Sequence, residues 1–153
     1  MKSLLRVLLG LGMSFAALAA SLPYDDAADA HAALQRGLSQ AQSQNKDLLV
    51  IFGANWCEDC RDLDQAMHGS SAALIDSRFV VVKIDVGNFN RNLDLARHYG
   101  NPIQKGIPAA VLVAPDDHVL YATKAGELAN ARRMGQSGIY DFFSKVLISY
   151  QSR

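Results

Sequence analysis

Apolar positions along the chain alternate between helical and strand-like spacing. Leu34, Leu38 and Ala41 recur at helical spacing in a polar, alanine-rich segment, which predicts a helix over residues 25–45. Residues 48–52 form a continuous apolar run, which is typical of a strand buried on both faces. The segments that follow predict a helix, a further helical turn, a second strand and a third helix, over residues 57–67, 70–77, 79–86 and 90–99.

The last third of the chain predicts a hairpin and one long helix. Residues 109–114 and 118–122 are short apolar runs on either side of Pro115-Asp116-Asp117, which is a turn signal. Beyond them Ser137 is the expected N-cap of an amphipathic helix. Its apolar positions at i, i+3, i+4, i+7, i+8 and i+11 are Ile139, Phe142, Phe143, Val146, Leu147 and Tyr150.

The order of these elements indicates the fold class. Strands separated by helices are expected to pair in parallel through crossover connections, and the hairpin adds an antiparallel strand. The sequence therefore predicts an α/β fold, with a central mixed sheet of four to five strands and helices on both faces. No internal repeat or long linker interrupts residues 21–153, so they are predicted to form one domain with a helical extension at residues 21–46.

The first twenty residues have the pattern of a secretory signal peptide. Lys2 and Arg6 precede a nearly continuous apolar run of about a dozen residues, and small residues of the A-x-A kind follow it. The run is too short for a membrane span, which needs about twenty residues. We therefore expect residues 1–20 to be cleaved and the mature protein to be exported, to the periplasm of a bacterium.

Charge and cysteine content narrow the function further. The chain has 15 Lys and Arg residues against 15 Asp and Glu, so it lacks the basic surplus that nucleic-acid binding requires. Both cysteines lie in one tetrapeptide, Cys57-Glu58-Asp59-Cys60, where a disulfide would close too short a loop to stabilise the domain much. Cys57 is expected where a strand ends and a helix begins, and the helix N-terminus lowers the pKa of a thiol. The spacing thus favours thiol-disulfide exchange.

Several ordered motifs resemble those of the thioredoxin-like proteins. Residues 52–61, FGANWCEDCR, are similar to the active-site segment of that family, in which Trp precedes the first Cys. Gly106-Ile107-Pro108 resembles the Gly-Ile-Pro of the family, and residues 83–85 and 122–126 lie in matching order. The resemblance covers residues 47–150. Within the family, residues 61–86 most resemble the exported branch that includes the carboxy-terminal domain of the thiol reductant conductor DsbD.

The resemblance implies a thioredoxin-like fold and a role for each matching residue. Cys57 would be the nucleophile and Cys60 the resolving thiol, with their redox-active disulfide in place of any other cofactor. Four further residues would bind the substrate peptide. They are Trp56 beside the cysteines, Ile107 through its backbone, Pro108 in a cis peptide bond against the sulfurs, and Gly126 at the border of the groove.

Two departures from the family pattern affect the expected chemistry. Many thioredoxins carry a buried acid six residues before the first Cys, where this chain has Ile51, so proton transfer would use water, Asp62 or Asp64. Glu58 and Asp59, between the cysteines, should disfavour the thiolate by repulsion, in part offset by the helix N-terminus. A less stabilised thiolate makes the couple less oxidising, which predicts a reductase of protein disulfides.

Other functions and residues remain open at this stage. The protein could instead be a disulfide oxidase or isomerase, or a copper carrier that holds the metal through Cys57 and Cys60. A reductase would need a membrane thiol electron donor, and we expect a monomer that binds no nucleic acid. Residues 127–135, with Arg132-Arg133, are expected to be a solvated loop or else a rim that selects substrates. The histidines are expected on the surface, at His31, His68, His98 and His118.

Overall fold

Five α-helices and four strands alternate along residues 22–151, the part of the chain that the computed structural model describes. The predicted signal peptide, residues 1–20, lies outside the described residues. The elements are α1 (Ala30–Gln44), β1 (Asp47–Gly53), α2 (Glu58–His68), α3 (Ala72–Arg78), β2 (Phe79–Asp85), α4 (Leu93–His98), β3 (Ala109–Val113), β4 (Val119–Ala122) and α5 (Ala131–Gln151). The predicted order of elements is confirmed.

The four strands form one mixed sheet in the order β2-β1-β3-β4. β1 pairs with β2 in parallel and with β3 antiparallel, and Val50 faces Val82 on one side and Val111 on the other. β3 and β4 form the predicted antiparallel hairpin. The prediction of an α/β fold with a mixed sheet is confirmed, but the expectation of parallel pairing fails for β3. Only β2 follows β1 through a helical crossover that returns the chain in the same direction.

Strand β1 lies at the centre of the hydrophobic core. Its residues from Leu48 to Gly53 are all buried, so both faces of the sheet are covered, as the unbroken apolar run predicts. α1 packs against β1 and β2, where Gly37 lets the helix approach Val82 and Leu48 closely. α2 and α5 pack against each other. This packing fixes the carboxyl end of β1, where the cysteines follow.

The first helix begins later than its polar and alanine-rich pattern predicts. α1 begins at Ala30, because Asp29 takes an extended conformation and its carboxylate accepts a hydrogen bond from the Ala32 N–H at 3.0 Å. Residues 22–29 therefore do not belong to the helix. They run towards the carboxyl end of β1, where the Tyr24 backbone bonds to Asn55.

The segment before the last helix differs most from the sequence-based expectation. α5 begins at Ala131 and not after Ser137, which is no N-cap, and the helix is interrupted at Gly135 with φ 65° and ψ 179°. Leu128 and Ala131 are fully buried, so residues 127–135 are not a solvated loop. The sequence hides this packing because the apolar residues of this short segment follow no helical or strand-like spacing.

Two local features complete the fold. A 3-10 helix at Pro102–Lys105, which the sequence reading did not predict, leads into the turn before β3. α4 is shorter than predicted, since residues 87–92 form turns in which Phe89 has a φ of 59°. Within residues 22–151, no helix combines the length and the apolar character that a membrane crossing needs.

Candidate active site

Cys57 is the N-cap of α2, directly after the turn that follows β1. Its backbone is extended, and its sulfur accepts a hydrogen bond from the Cys60 N–H at 3.2 Å. The pKa of Cys57 is lowered from its ordinary value, first because the Cys60 thiol hydrogen-bonds to the sulfur and then because of the Cys60 N–H. Burial and the Asp59 carboxylate act in the opposite direction, whereas the Arg61 guanidinium supports the thiolate. The site therefore favours Cys57 as an attacking thiolate.

Cys60 lies one turn further along α2 and is fully buried. Both cysteines are free thiols in this structure. The hydrogen bond with Cys57 and the burial raise the pKa of Cys60 strongly. The two thiols thus differ in the way that two-step exchange requires, since one ionises readily and the other retains its proton.

The loop before β3 brings a proline against the cysteine pair. The Ile107–Pro108 peptide bond is cis, as the resemblance implies, and both residues are buried. The Cys57 thiol donates to the Ile107 carbonyl at a distance of 3.6 Å between sulfur and oxygen. Gly126, with a φ of 75°, approaches the Lys105 carbonyl, so its backbone borders the same loop. The predicted residues of the two loops are therefore close together.

Trp56 stands at the exposed side of the cysteines. Its side chain is 55% exposed, and its indole N–H donates to the Gly87 carbonyl at 2.9 Å. The exposed Phe89 ring meets it edge to face, with 6.3 Å between the ring centroids. These two rings form an apolar surface beside Cys57, of which the sequence reading identified only Trp56.

The acidic residues between the cysteines have a partner that the sequence did not indicate. The Arg132 guanidinium group pairs with the Glu58 carboxylate, and the Arg132 backbone N–H donates to Asp59 Oδ1 at 2.9 Å. Asp59 raises the pKa of Cys57, in the predicted direction, but the hydrogen bonds from Cys60 act more strongly. The segment that was expected to be a loop therefore carries the counter-charge of the acidic pair.

The position of the family's buried acid is apolar in this structure, as the sequence shows. Ile51 is buried in β1. Of the two carboxylates considered in its place, Asp64 forms an ion pair with Lys83 of β2, and the two side chains are 23% and 21% exposed. The Asp62 carboxylate has no hydrogen bond or ion pair with any residue of the described range 22–151.

Tyr24 also belongs to the site, although the sequence pattern did not indicate it. It precedes α1, is only 3% exposed, and its hydroxyl group lies next to the Cys60 sulfur beside Gly53. Burial, before all other causes, raises the pKa of its hydroxyl group. No local pattern signals this contact, since a single aromatic residue in a polar segment has no spacing to read.

All four histidines lie outside the cysteine site. Exposed ion pairs join His31 to Asp94 and His98 to Asp117, while His68 caps a carbonyl of its own helix. His118 is exposed as well. In the described part of the chain, no three His, Cys, Asp or Glu side chains come together in the manner of a metal site.

A dithiol at a helix N-terminus, facing a cis-proline at one end of a mixed sheet, defines the thioredoxin class of folds. The family model of thioredoxin-like proteins matches residues 29–115. A disulphide isomerase from Xylella fastidiosa Temecula1 is 54% identical, with a TM-score of 0.81, and the match covers 84% of this chain and 99% of that one. The protein therefore belongs to the thioredoxin-like family.

More distant solved structures also match the chain. A thioredoxin from Thermus thermophilus is 18% identical over 74% of this chain and 83% of its own, with a TM-score of 0.54. The carboxy-terminal domain of DsbD from Neisseria meningitidis, in its oxidised form, is 21% identical over 71% and 97%, with a TM-score of 0.46. No curated protein sequence matches the chain.

Proposed function

We propose that the protein is an exported thiol-disulfide oxidoreductase that reduces protein disulfides through Cys57 and Cys60. The observation that carries this proposal is the position of Cys57 at the N-cap of α2, where its sulfur accepts a hydrogen bond from the N–H of the fully buried Cys60. The Cys57 thiolate attacks a substrate disulfide and forms a mixed disulfide, with release of one substrate thiolate. Cys60 then attacks Cys57, releases the second substrate thiolate and leaves the Cys57–Cys60 disulfide.

The substrate surface in this proposal comprises the residues around the cysteines. Trp56 offers an exposed aromatic face, and Ile107 presents backbone groups beside Cys57 to an extended peptide. Pro108 has no N–H and closes the floor of the groove. Gly126 borders the same loop, where its lack of a side chain lets the Lys105 carbonyl pack closely against it.

The reductase direction in this proposal rests on the acidic residues between the cysteines. The hydrogen bonds from Cys60 lower the Cys57 pKa overall, but Asp59 opposes them and so makes the couple more reducing than it would be without that carboxylate. A reductase must be reduced again after each turnover, so a membrane thiol donor is part of the proposal. Export rests on the signal pattern of residues 1–20, and amino-terminal sequencing of the protein from periplasmic extract tests it.

Disulfide isomerase activity is the second candidate. The protein at 54% identity is described as a disulphide isomerase. Isomerisation needs a mixed disulfide that lasts long enough for another substrate thiol to attack it, and the buried Cys60 with its raised pKa would delay resolution. Both candidates use the same Cys57 chemistry and differ in what Cys60 does.

Two assays on three proteins separate these candidates. The native protein and the Cys60→Ala and Cys57→Ala variants are tested for insulin reduction and for reactivation of scrambled ribonuclease. A reductase loses insulin reduction in both variants, whereas an isomerase keeps ribonuclease reactivation in Cys60→Ala and loses it in Cys57→Ala. A reduction potential near the roughly −120 mV of strong oxidants would overturn the reductase proposal.

A further inference from the structure

Tyr24 is fixed at the active site by its backbone. The Tyr24 N–H donates to Asn55 Oδ1 at 3.0 Å, and the Asn55 side-chain amide donates back to the Tyr24 carbonyl at 2.7 Å. Asn55 lies two residues before Cys57, in the turn that joins β1 to α2. The paired hydrogen bonds therefore tie the segment before α1 to the active-site turn.

The Tyr24 side chain fills a space that a glycine leaves open. A Cβ atom at Gly53 would come within 3 Å of Tyr24 Oη and also within 3 Å of Cys60 Sγ. The hydroxyl oxygen and the sulfur thus lie on either side of one small space at the end of β1. Because Gly53 has no side chain, the hydroxyl group can approach the Cys60 sulfur.

The resolving thiol needs such a partner. Cys60 is fully buried, its pKa is raised by the Cys57 thiol and by burial, and Ile51 offers no proton-carrying group. Two hydrogen bonds favour its thiolate, one from the Ala54 backbone and one from the Tyr24 hydroxyl. A buried anion with few donors is strongly destabilised, so the loss of either donor should destabilise the Cys60 thiolate further.

We propose that Tyr24 is a catalytic residue whose hydroxyl group stabilises the Cys60 thiolate as it resolves the mixed disulfide. This role rests on the proposed thiol-disulfide exchange. The Cys60 thiol releases its proton to solvent, and Tyr24 donates a hydrogen bond to the resulting thiolate. The thiolate forms a bond to Cys57 Sγ while the bond from Cys57 to the substrate sulfur breaks. The substrate leaves as a thiolate with the electron pair of that bond.

The charged side chains near the cysteine pair act on Tyr24 and on Cys57, and none of them is a leading influence on the Cys60 pKa. Asp64 acts on Tyr24 through its charge and is itself paired with Lys83. Asp59 and Arg61 act on Cys57 with opposite signs. A change at Tyr24 that removes only the hydroxyl group leaves all of these charges in place.

The Tyr24→Phe variant isolates the hydroxyl group, because the ring still fills the space at Gly53. The reduced protein is mixed with substoichiometric dithiobis-nitrobenzoate in a stopped-flow instrument. Attack by Cys57 releases the first nitrothiobenzoate, and resolution by Cys60 releases the second. We expect an unchanged first phase and a second phase slower by about three- to tenfold, because fewer Cys60 thiolates are present at neutral pH.

Tyr99→Phe is the matched control. Tyr99 is also 3% exposed, but its hydroxyl group donates to Asp117 in the β3–β4 turn. The pH dependence of the second phase then gives the Cys60 pKa in the mixed disulfide, in which Cys57 carries no charge. We expect the Cys60 pKa to rise by about one unit in Tyr24→Phe and to stay unchanged in Tyr99→Phe.

The outcomes distinguish the role of Tyr24 from the function of the protein. The proposed role of Tyr24 would be overturned if the rate of the second phase and the Cys60 pKa were the same in Tyr24→Phe as in the native protein. Equal slowing in Tyr99→Phe would also overturn it, because the effect would then reflect the loss of a buried hydroxyl group anywhere. If native protein shows both phases but neither reduces insulin nor reactivates ribonuclease, the proposed function fails and the Tyr24 measurement still stands.

Discussion

The Arg132 guanidinium group pairs with the Glu58 carboxylate across 74 positions of sequence. Both side chains are more than half exposed, so water and salt screen the pair. The Arg132 backbone N–H also binds the Asp59 carboxylate. The start of α5 therefore places a positive charge beside the two acids that separate the cysteines.

Removal of this charge should make the dithiol more reducing. In Arg132→Ala the acids lose their counter-charge, so the Cys57 thiolate is less stable and the Cys57 pKa rises, by less than about 0.5 unit since the pair is exposed. The reduction potential should fall by less than about 20 mV. The rate of iodoacetamide alkylation as a function of pH measures the Cys57 pKa, and equilibration with glutathione measures the reduction potential.

Arg133→Ala is the control for this prediction. Its side chain has no hydrogen bond or ion pair with the acidic residues, so the Cys57 pKa should stay at the native value. A lower Cys57 pKa in Arg132→Ala would contradict the assigned sign. An equal rise of the Cys57 pKa in both variants would mean that the total positive charge of this segment, and not the pair of Arg132 with Glu58, controls the stability of the Cys57 thiolate.

The Cys60 side chain should control the pH dependence of Cys57 reactivity. Because the Cys60 thiol is the leading cause of the lowered Cys57 pKa, Cys60→Ala removes a donor to the thiolate and raises the Cys57 pKa. The alkylation profile then moves to higher pH. Cys60→Ser retains a hydroxyl donor of similar size, so its profile should lie closer to that of the native protein. Superimposed Ala and Ser profiles would contradict this assignment.

Gly53 should tolerate no side chain. A Cβ atom there would meet the Tyr24 ring and the Cys60 sulfur, so Gly53→Ala should lower the free energy of unfolding by about 1–3 kcal/mol in urea titrations. The same substitution should cost less in a Tyr24→Ala background, because the ring that it displaces is gone. Strict additivity of the two changes would show that Tyr24 and Gly53 do not compete for this space.

Phe89 should contribute to the binding of protein substrates and not to thiol chemistry. Its ring adjoins Trp56 beside Cys57, and in Phe89→Ala we expect the KM for insulin to rise about threefold, while the reaction with dithiobis-nitrobenzoate stays unchanged. Tyr140→Ala is the control, since Tyr140 is an aromatic residue with the same 43% exposure on α5. A rise in KM of equal size in the control would contradict a specific surface.

The dithiol site could be predicted from the sequence because its determinants are local. Cys57 and Cys60 lie within one helical turn, and the buried run of β1 directly before them places the first at the N-cap of α2. Pro108 was placed against the cysteines by its family motif alone. The sequence could not predict the direction of β3, because the turns and short helices after β2 do not indicate on which side of β1 the chain returns.

The sequence by itself determined the order of elements, the β3–β4 hairpin and the position of the cysteine pair, because each depends on spacing within a few residues. Only the tertiary structure decided what surrounds that pair. The Tyr24 backbone meets Asn55 from 31 positions away, and Arg132 meets Asp59 from 73 positions away. Such contacts arise from the packing of whole elements, and single polar or aromatic residues carry no periodic signal of the partner that packing gives them.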